Sequence, residues 1–344
     1  VDRKQTMPIL GHVLISGNSG EITITATDLE VQISSKFKAN ISEDFTITLP
    51  GRKLFDILRS LGNTDIELST ENETAILKTE KSKFSLQQLP ANEFPLFDSA
   101  ESEQTFTIKQ KDLAEIFNKT QFAMAQQDVR FYLNGLLIEI NTEALNVVGT
   151  DGHRLAKTTT TLDKKNISEQ SCIVPRKAIQ ELTKSLSESK ECKVSLVDNQ
   201  ASFSYSQVTL TTKLIDGTFP DYNRVIPAET STNILLDSKV LKPALQRVSI
   251  LANEKFRGVR IDIDNNKITI SSENPEQEQA VEDIDIDETN VKLSIGFNVS
   301  YLIDAVNACS GELVTLGVND ENTSALITDP SDPNTKYVVM PMRL

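Results

Sequence analysis

Gly11-His-Val-Leu-Ile recurs in this chain as Gly135-Leu-Leu-Ile-Glu-Ile and again as Gly258-Val-Arg-Ile-Asp-Ile. The spacings between the three glycines are 124 and 123 residues. This period is the length of a whole domain, because solenoid and propeller repeats are roughly 20–50 residues long. The sequence therefore predicts one domain written three times, an arrangement typical of a scaffold or curved assembly rather than of a single enzyme cleft.

Other motifs keep the same spacing and place the boundaries. Thr27-Asp-Leu-Glu recurs as Thr150-Asp-Gly-His, and Phe94-Pro recurs as Phe219-Pro. Polar stretches around residues 103 and 229 separate the repeats. They predict a first domain at 1–103, a second at 104–229 and a third at 230–344.

Local patterns predict strands and helices in each repeat. Short alternating segments predict antiparallel strands, and Asp264-Asn-Asn before Lys267 predicts a hairpin turn. Apolar residues at helical spacing predict five helices, within 50–60, 109–120, 175–188, 237–248 and 298–309. Each repeat then has two amphipathic helices packed on antiparallel sheets, and the first repeat is one helix short. The predicted fold class is α+β.

Composition limits the class of protein. The net charge of −14 and the isoelectric point near 4.8 argue against a nucleic-acid coat protein. Three widely spaced cysteines predict neither a disulfide framework nor a zinc knuckle. No apolar run approaches the roughly 20 residues of a membrane span. We therefore expect a reducing, cytoplasmic location without membrane contact.

The predicted helices invert the charge of the whole chain. Together the five windows contain 12 Lys and Arg against 7 Asp and Glu, whereas the chain contains 35 against 49. Lys and Arg are good helix formers, so a solvated helix face is one interpretation. The other is a basic wall that faces a polyanion, since sequence-independent binding to phosphates needs only such a lining. No window has the interleaved aromatics of a base-stacking site, which favours duplex DNA over single strands.

Residue patterns typical of catalytic sites are scarce in this sequence. The chain has no Gly-Lys dipeptide and hence no P-loop, and it has only two histidines. We expect His12, in an apolar strand, to be a packed core or edge residue. Asp151 and His153 could form an acid–base pair, but neighbours on one turn seldom face a common atom. The sequence predicts no catalytic site, no metal and no cofactor, and keeps two alternatives open: a hydrolase that uses Asp151 and His153, and an adhesin-like scaffold.

Several longer motifs together resemble the bacterial sliding clamps, the β subunit of replicative DNA polymerase III. They include Val129-Arg-Phe-Tyr-Leu-Asn-Gly, Phe219-Pro-Asp-Tyr-Asn-Arg-Val-Ile-Pro, Asn253-Glu-Lys-Phe-Arg-Gly-Val-Arg and Tyr337-Val-Val-Met-Pro-Met-Arg-Leu. The resemblance covers essentially the whole chain. It implies a non-catalytic processivity factor in which a head-to-tail homodimer of three-domain subunits forms a six-domain ring around duplex DNA. It also implies a further strand and helix, about 20 residues in all, ahead of Val1, so that the first domain is incomplete at its N-terminus.

The resemblance also implies three sets of site residues and the partners that they serve. The polymerase III catalytic subunit, the clamp loader, other polymerases and repair proteins would dock through short linear motifs, and the protein would work at the nucleoid as part of the polymerase (transferase) complex. The implied DNA contacts are Lys4, Arg52, Lys53, Gln127, Phe131, Tyr132, Arg176 and Lys177. The implied partner groove consists of Leu133, Thr150, Gly152, His153, Arg154, Leu155, Pro220, Arg224, Val225, Asn298, Tyr301, Ser324, Val338, Val339, Met340, Pro341, Met342, Arg343 and Leu344.

The implied dimer contact joins the first and third domains. It consists of Lys78, Lys81, Lys83, Phe84 and Leu86 on one side, and of Ile250, Leu251, Glu276, Glu278 and Glu282 on the other. The spacing of the lysines and of the glutamates predicts that each set alternates along one strand. Without the resemblance, two independent charged edges that prevent stray strand pairing would explain both sets.

Overall fold

The computed structural model describes residues 7–97, 104–141, 144–162, 169–186, 190–197 and 199–343. The first repeat, in these described residues, contains seven strands and one α-helix, besides two short 3-10 helices, Pro8–Gly11 and Ala91–Glu93. The strands and the α-helix are β1 (His12–Asn18), β2 (Glu21–Thr27), β3 (Val31–Lys38), β4 (Phe45–Pro50), α1 (Gly51–Leu61), β5 (Glu67–Glu71), β6 (Thr74–Lys78) and β7 (Lys83–Gln87).

The second and third repeats each add a strand and a helix at the start. The second contains β8 (Gln104–Lys109), α2 (Gln110–Thr120), β9 (Gly135–Ile140), β10 (Ala144–Thr150), β11 (Arg154–Thr161), β12 (Gln170–Pro175), α3 (Arg176–Ser185), β13 (Glu191–Val197), β14 (Gln200–Tyr205) and β15 (Val208–Lys213). The third contains β16 (Thr232–Asp237), α4 (Ser238–Ser249), β17 (Gly258–Asp264), β18 (Lys267–Glu273), β19 (Gln279–Asp285), β20 (Lys292–Asn298), α5 (Val299–Ala308), β21 (Leu313–Val318), β22 (Ala325–Asp329) and β23 (Asp332–Val339).

The predicted repeat, helices and fold class are confirmed. The three glycine motifs correspond to β1, β9 and β17, and each predicted helical window coincides with one α-helix to within less than four residues at either end. The predicted turn after Asp264 is the two-residue connection Asn265-Asn266 between β17 and β18, with Asn265 at a φ of 53°. The helices form where one stripe of side chains can be buried. In α3 that stripe is Ala178, Ile179 and Leu182.

Hydrogen bonds between strands join one repeat to the next. One eight-stranded sheet has the order β4-β1-β2-β3-β15-β14-β13-β8, so that β3 of the first repeat pairs with β15 of the second. The other has the order β12-β9-β10-β11-β23-β22-β21-β16, so that β11 of the second repeat pairs with β23 of the third. Two smaller sheets, β19-β18-β17-β20 and β5-β6-β7, complete the third and first repeats.

Because sheets cross the repeat boundaries, the chain divides into two compact units rather than three. The first comprises Val1–Lys111 and Leu186–Leu214, and the second comprises Asp112–Ser185 and Ile215–Leu344. The core of the first unit lies under α1, around Leu49, Leu54 and Ala75. The largest core of the second lies between α4, α5 and the strands of the third repeat. The boundaries predicted at residues 103 and 229 stay predictions.

Candidate nucleic-acid and partner interface

A tight turn at the end of β10 presents Thr150, Gly152 and His153 of the predicted partner groove, together with Asp151 of the alternative hydrolase site. The hydroxyl of Thr150 donates to the Arg154 carbonyl and accepts from the Gly152 amide. The Asp151 carboxylate accepts from the backbone amides of His153 and Arg154 at 2.9 and 3.1 Å. The turn is therefore held by its own side chains, as is common for Asx motifs.

The same turn occurs in the first repeat with the same hydrogen bonds. Thr27 Oγ1 donates to the Val31 carbonyl and accepts from the Leu29 amide, and Asp28 accepts from the amides of Glu30 and Val31. The repeated Thr-Asp dipeptide in the sequence thus marks a repeated local structure. The third residue of the turn has a positive φ in both repeats, 77° at Leu29 and 89° at Gly152. The two turns differ in the residue type at this position.

Arg130 closes over Gly152 in the second repeat. A Cβ atom at position 152 would lie 2.9 Å from Arg130 Nη1. The guanidinium also donates to the Asp151 carbonyl and to both carboxylate oxygens of Asp128. Hydrogen bonds from the Arg130 side chain and backbone hold the pKa of Asp128 at about 2. Glycine at position 152 therefore allows both the left-handed turn and the close approach of the arginine.

Arg154, directly after the turn, lies inside the site rather than at its surface. Its guanidinium makes ion pairs with Asp151 and Asp304 and donates to the Phe122 carbonyl at 2.7 Å. It also lies 4.5 Å from the ring centre of Tyr301. Since each side of the guanidinium has a partner and the side chain is mostly buried, Arg154 orders its surroundings.

The C-terminal segment runs beside this turn. Val338 and Val339 are buried in β23, paired with Leu155 and Arg154 of β11. Beyond the strand, the Met340 amide donates to the His153 carbonyl and the Met342 amide donates to the Gly296 carbonyl. The tail is therefore ordered by backbone hydrogen bonds, while Met340, Pro341 and Met342 stay half exposed and Arg343 exposed.

The remaining predicted groove residues divide into buried and accessible ones. Leu133, Leu155 and Thr150 are buried, so they support the surface rather than form it. Val225 packs against the small core cluster that contains Leu155 and Val338. Accessible or half-exposed positions are Pro220, Arg224, Asn298, Tyr301 and Ser324. Leu344 lies outside the described residues.

The predicted DNA contacts fall in both units, and each unit is described by itself. In the first unit, Arg52 and Lys53 lie in the first turn of α1 and are exposed. In the second, Lys177 near the start of α3 is exposed, as is Phe131, which is 72% exposed. Gln127 has a left-handed backbone, with a φ of 56°, and Tyr132 is half-buried. Lys4 lies outside the described residues.

Arg176 departs from the expectation of a freely exposed phosphate contact. Its Nη1 donates to the Met124 carbonyl at 3.1 Å, and the side chain is partly buried. Burial lowers the pKa of Arg176, and the nearby charge of Arg154 lowers it further. To reach a phosphate, this side chain would have to leave its place in the protein.

The strand placement predicted for the two charged rows is wrong. Lys78 ends β6, Lys81 lies in the turn and Lys83 begins β7, so the three lysines surround a hairpin. The Thr79 amide donates to the Ser82 carbonyl and closes that turn. The three-residue step from Lys78 to Lys81 does not fit the period of two of a strand, and the turn lies at that step.

On the acidic side, Glu276 and Glu278 lie in the turn ahead of β19, and of the three predicted glutamates only Glu282 lies in the strand. Glu282 already pairs with Arg247 at the end of α4. The apolar residues of the predicted dimer contact differ from one another in exposure. Ile250 is 75% exposed and Leu251 half-buried, whereas Leu86 packs in the core of the first unit and Phe84 is half-buried against it.

The arrangement does not support acid–base chemistry at Asp151 and His153. The Asp151 carboxylate is occupied by the turn amides and by Arg154, and it meets His153 at its backbone amide rather than at its imidazole. His12 begins β1, and burial lowers its pKa. Burial raises the pKa of Cys172, Cys192 and Cys309 to about 12, so these thiols are poor nucleophiles.

The described part of the chain contains no cluster of three or more His, Cys, Asp or Glu side chains placed to hold a metal ion. Among the helices in the same residues, none has the length and apolar character needed to cross a membrane.

The sequence reasoning did not single out Asp128, Phe122, Met124 or Asp304, which complete the site. Phe122 and Met124 belong to or follow the short 3-10 turn Gln121–Ala123 after α2. Asp304 lies on α5 and reaches Arg154 from 150 positions away. No local pattern could identify these partners, because their role depends on packing between distant segments.

Comparisons with known proteins agree with this architecture. Models of the N-terminal, central and C-terminal domains of the DNA polymerase III beta subunit match residues 1–98, 107–221 and 223–343. The chain is 40% identical to the beta sliding clamp of Pseudomonas aeruginosa, with 100% of this chain and 95% of that protein covered. It is also 40% identical to the beta sliding clamp of Escherichia coli K12, with 99% and 94% covered.

Solved structures give the same result. The crystal structure of the DNA polymerase III subunit beta from Pseudomonas aeruginosa superposes with a TM-score of 0.97 at 40% identity, covering 100% of this chain and 94% of that one. The Caulobacter crescentus pol III beta structure superposes with a TM-score of 0.95 at 33% identity, covering 100% and 95%. This chain belongs to the bacterial sliding-clamp family, the beta subunits of DNA polymerase III.

Proposed function

We propose that this protein is a DNA sliding clamp: a head-to-tail homodimer of three-domain subunits (1–103, 104–229 and 230–344) that encircles duplex DNA and tethers the replicative polymerase. It acts as a processivity factor and not as an enzyme, as its family membership supports. The proposal rests mainly on the strand pairing that joins each repeat to the next.

At both internal junctions the same two strands of the repeat pair with each other. The third strand of the first repeat, β3, pairs with the last strand of the second, β15, and β11 of the second pairs with β23 of the third. By the same rule β19 of the third repeat needs the last strand of a first repeat, which is β7. Both strands lie at the ends of their sheets in the described residues. A second copy of the chain supplies each missing partner.

Charge and exposed apolar surface favour this pairing. Lysines surround the β6–β7 hairpin, whereas β19 carries Glu282, Asp283 and Asp285. Opposite charges on the two edges steer encounter and set register. Ile250 offers an exposed apolar side chain on the third repeat, and Phe84 is the half-buried candidate on the first. The two surfaces differ, so the contact is heterologous and must close into a ring or polymerise.

The helix starts supply contacts to DNA. Arg52, Lys53 and Lys177 are exposed cations in first helical turns, in a chain that is otherwise strongly acidic. Such side chains suit a mobile phosphate track, because each contact is weak, interchangeable and independent of base sequence. Helix α5 of the third repeat contributes less, because it follows Asn298, its N-cap, and begins with no basic pair.

The tail and the turn after β10 supply the partner site. Met340, Pro341 and Met342 are held by backbone hydrogen bonds to His153 and Gly296, with their side chains half exposed. Methionine is unbranched and polarisable, so one surface can accept several related ligands. We propose that short motifs of the polymerase III catalytic subunit, the clamp loader, other polymerases and repair proteins dock here, on chromosomal DNA in the cytoplasm.

Retention on DNA of different topology tests this function. The protein, placed on nicked circular DNA by its clamp loader, should stay bound through gel filtration at a salt concentration that removes it from the linearised form. A topological link does not depend on counterion release, whereas a surface contact does. Equal loss from circles and linear molecules would contradict the clamp and favour a scaffold without DNA dependence.

A further inference from the structure

A short segment, Phe122–Met124, lies between the predicted partner groove and the start of helix α3. Phe122 is half-buried and packs against the core of the third repeat, while Ala123 and Met124 are buried. The backbone leaves α2 here through a 3-10 turn, so its carbonyls are not all used by helical hydrogen bonds. Two guanidinium groups take up two of these carbonyls.

Arg154 holds the first of them from the groove side. Its Nη2 donates to the Phe122 carbonyl at 2.7 Å, and its guanidinium lies 5.4 Å from the Phe122 ring centre and 4.5 Å from that of Tyr301. The carboxylates of Asp151 and Asp304 fix the guanidinium from two further directions. A shift of the Phe122 backbone therefore moves Arg154, and with it the wall formed by Tyr301.

Arg176 holds the second carbonyl from the side of α3. It is the first residue of that helix and donates from Nη1 to Met124. Arg154, Arg176, His153 and Tyr301 line one cleft of about 300 Å³. Arg176, predicted to contact DNA, thus shares a cavity with three residues predicted to contact a partner, and one of these, Arg154, holds the same backbone segment.

We propose that Arg154 and Arg176 are positioning residues that couple the two binding events through Phe122–Met124, an inference that rests on the proposed clamp function. Arg176 has two alternatives: it donates to Met124, or it moves out to a DNA phosphate. The second leaves a buried carbonyl unpaired, which is unfavourable. The segment then relaxes, Phe122 loosens its contact with Arg154, and the groove wall fits a peptide less well.

The sign of the coupling follows. DNA contact by Arg176 weakens peptide binding, and peptide binding weakens that DNA contact by the same factor, because linkage is reciprocal. Arg176 is partly buried and lies close to the positive charge of Arg154. Both features favour movement of its side chain out of the cleft when DNA phosphates are near. Burial and the charge of Arg154 both disfavour the cation in the cleft, as its lowered pKa indicates.

The experiment compares peptide affinity on free protein and on protein closed around nicked circular DNA. The probe is a fluorescein-labelled peptide with the clamp-binding motif of the polymerase III catalytic subunit, read by anisotropy. We expect the dissociation constant to be about fivefold higher on the DNA-bound form, at the lower end of common allosteric couplings. In Arg176→Ala the ratio should fall to one. Arg176→Gln, which keeps an amide donor but not the charge, should give the same result.

Lys177→Ala is the matched control, one residue further along the same helix start. It should weaken DNA contact as Arg176→Ala does but keep the fivefold ratio. A ratio of one in the unaltered protein, or a fivefold ratio that survives in both Arg176 variants, overturns the coupling while leaving the clamp function standing. Absence of peptide binding, or of retention on circles, overturns the proposed function and the coupling with it.

Discussion

Lys119 Nζ lies 2.9 Å from Asp332 Oδ2 and thereby links the first helix of the second repeat to the last hairpin of the third. Both side chains are mostly buried, and Thr335 also donates to the Asp332 carboxylate. Burial opposes ionisation of Asp332, but the hydrogen bonds from Thr335 and Lys119 outweigh it and hold its pKa below the usual value. Likewise, burial would lower the pKa of Lys119, yet Glu115 and Asp332 raise it.

This ion pair predicts a dependence of stability on pH. A depressed Asp332 pKa stabilises the fold above the unfolded-state value of about 3.9 and loses that effect as pH falls through the folded-state value. Asp332→Asn should lower the free energy of unfolding by about 1 kcal/mol at pH 7 and by much less near pH 3. Urea unfolding at both pH values measures it. Asp264→Asn, in an exposed pair with Lys292, is the control; an equal loss from Asp332→Asn at both pH values would contradict the prediction.

Gly152 and Leu29 occupy equivalent turns and predict opposite tolerance to substitution. Gly152→Ala places a Cβ 2.9 Å from Arg130 at a φ of 89°. It should cost about 1 kcal/mol of unfolding free energy and weaken peptide binding, because Arg130 must shift. Leu29→Gly relieves a strained backbone but gives the unfolded chain more freedom. Its net effect should be within about 0.5 kcal/mol, with peptide affinity unchanged. If both variants bind peptide alike, the turn does not shape the groove.

Deletion of residues 340–344 should abolish binding of the polymerase peptide while the dimer persists. The hydrogen bonds from Met340 to His153 and from Met342 to Gly296 hold the tail in place, but β23 ends at Val339 and stays paired. Anisotropy gives the binding and sedimentation velocity gives the assembly state. Arg343→Ala, at an exposed position, should reduce affinity far less. A truncated protein that captures the peptide normally would show that the site lies elsewhere.

Charge reversal at the helix starts should change DNA affinity and its salt dependence. Arg52→Glu with Lys53→Glu removes two exposed cations, and each lost phosphate contact lowers the slope of log K against log salt by about 0.9. Reversal of Arg176 with Lys177 should also weaken DNA contact, but it disturbs the bond to Met124, so α1 is the cleaner test. Lys38→Glu, at the exposed end of β3, is the control. If the Arg52→Glu/Lys53→Glu variant and the Lys38→Glu control have equal salt slopes, α1 does not contact the DNA.

Replacement of Ile250 and Leu251 by Ala should give folded monomers. The exposed Ile250 side chain contributes little to the isolated chain, so its removal acts on the association step. Sedimentation equilibrium measures the dimer, and high salt alone should weaken it only modestly, since rim charges act mainly on encounter. Leu235→Ala removes an exposed apolar side chain from β16, which belongs to a different sheet from β19, and should leave the dimer intact. A double variant that remains dimeric would rule out this contact.

Some features were predictable because they depend only on residues that are close together in the sequence. The start of α3 is an example: Ile179 and Leu182 follow helical spacing, and both are fully buried. The Thr-Asp turns are another, because the side chains that hold each turn lie within four residues of one another. The lysines at 78, 81 and 83 were misplaced on one strand: the three-residue step from 78 to 81 breaks a period of two, and the four-residue turn lies there.

The sequence by itself determined the threefold repeat, the helices and the α+β class, because periodicity and turn chemistry act over a few residues. Only the tertiary structure decided that sheets run from one repeat into the next, that β7 and β19 are left at sheet ends, and that Arg176 is bound to Met124. These facts depend on hydrogen bonds and burial between segments far apart in the chain. No local pattern records which distant carbonyl a guanidinium will reach, because that choice is made by packing.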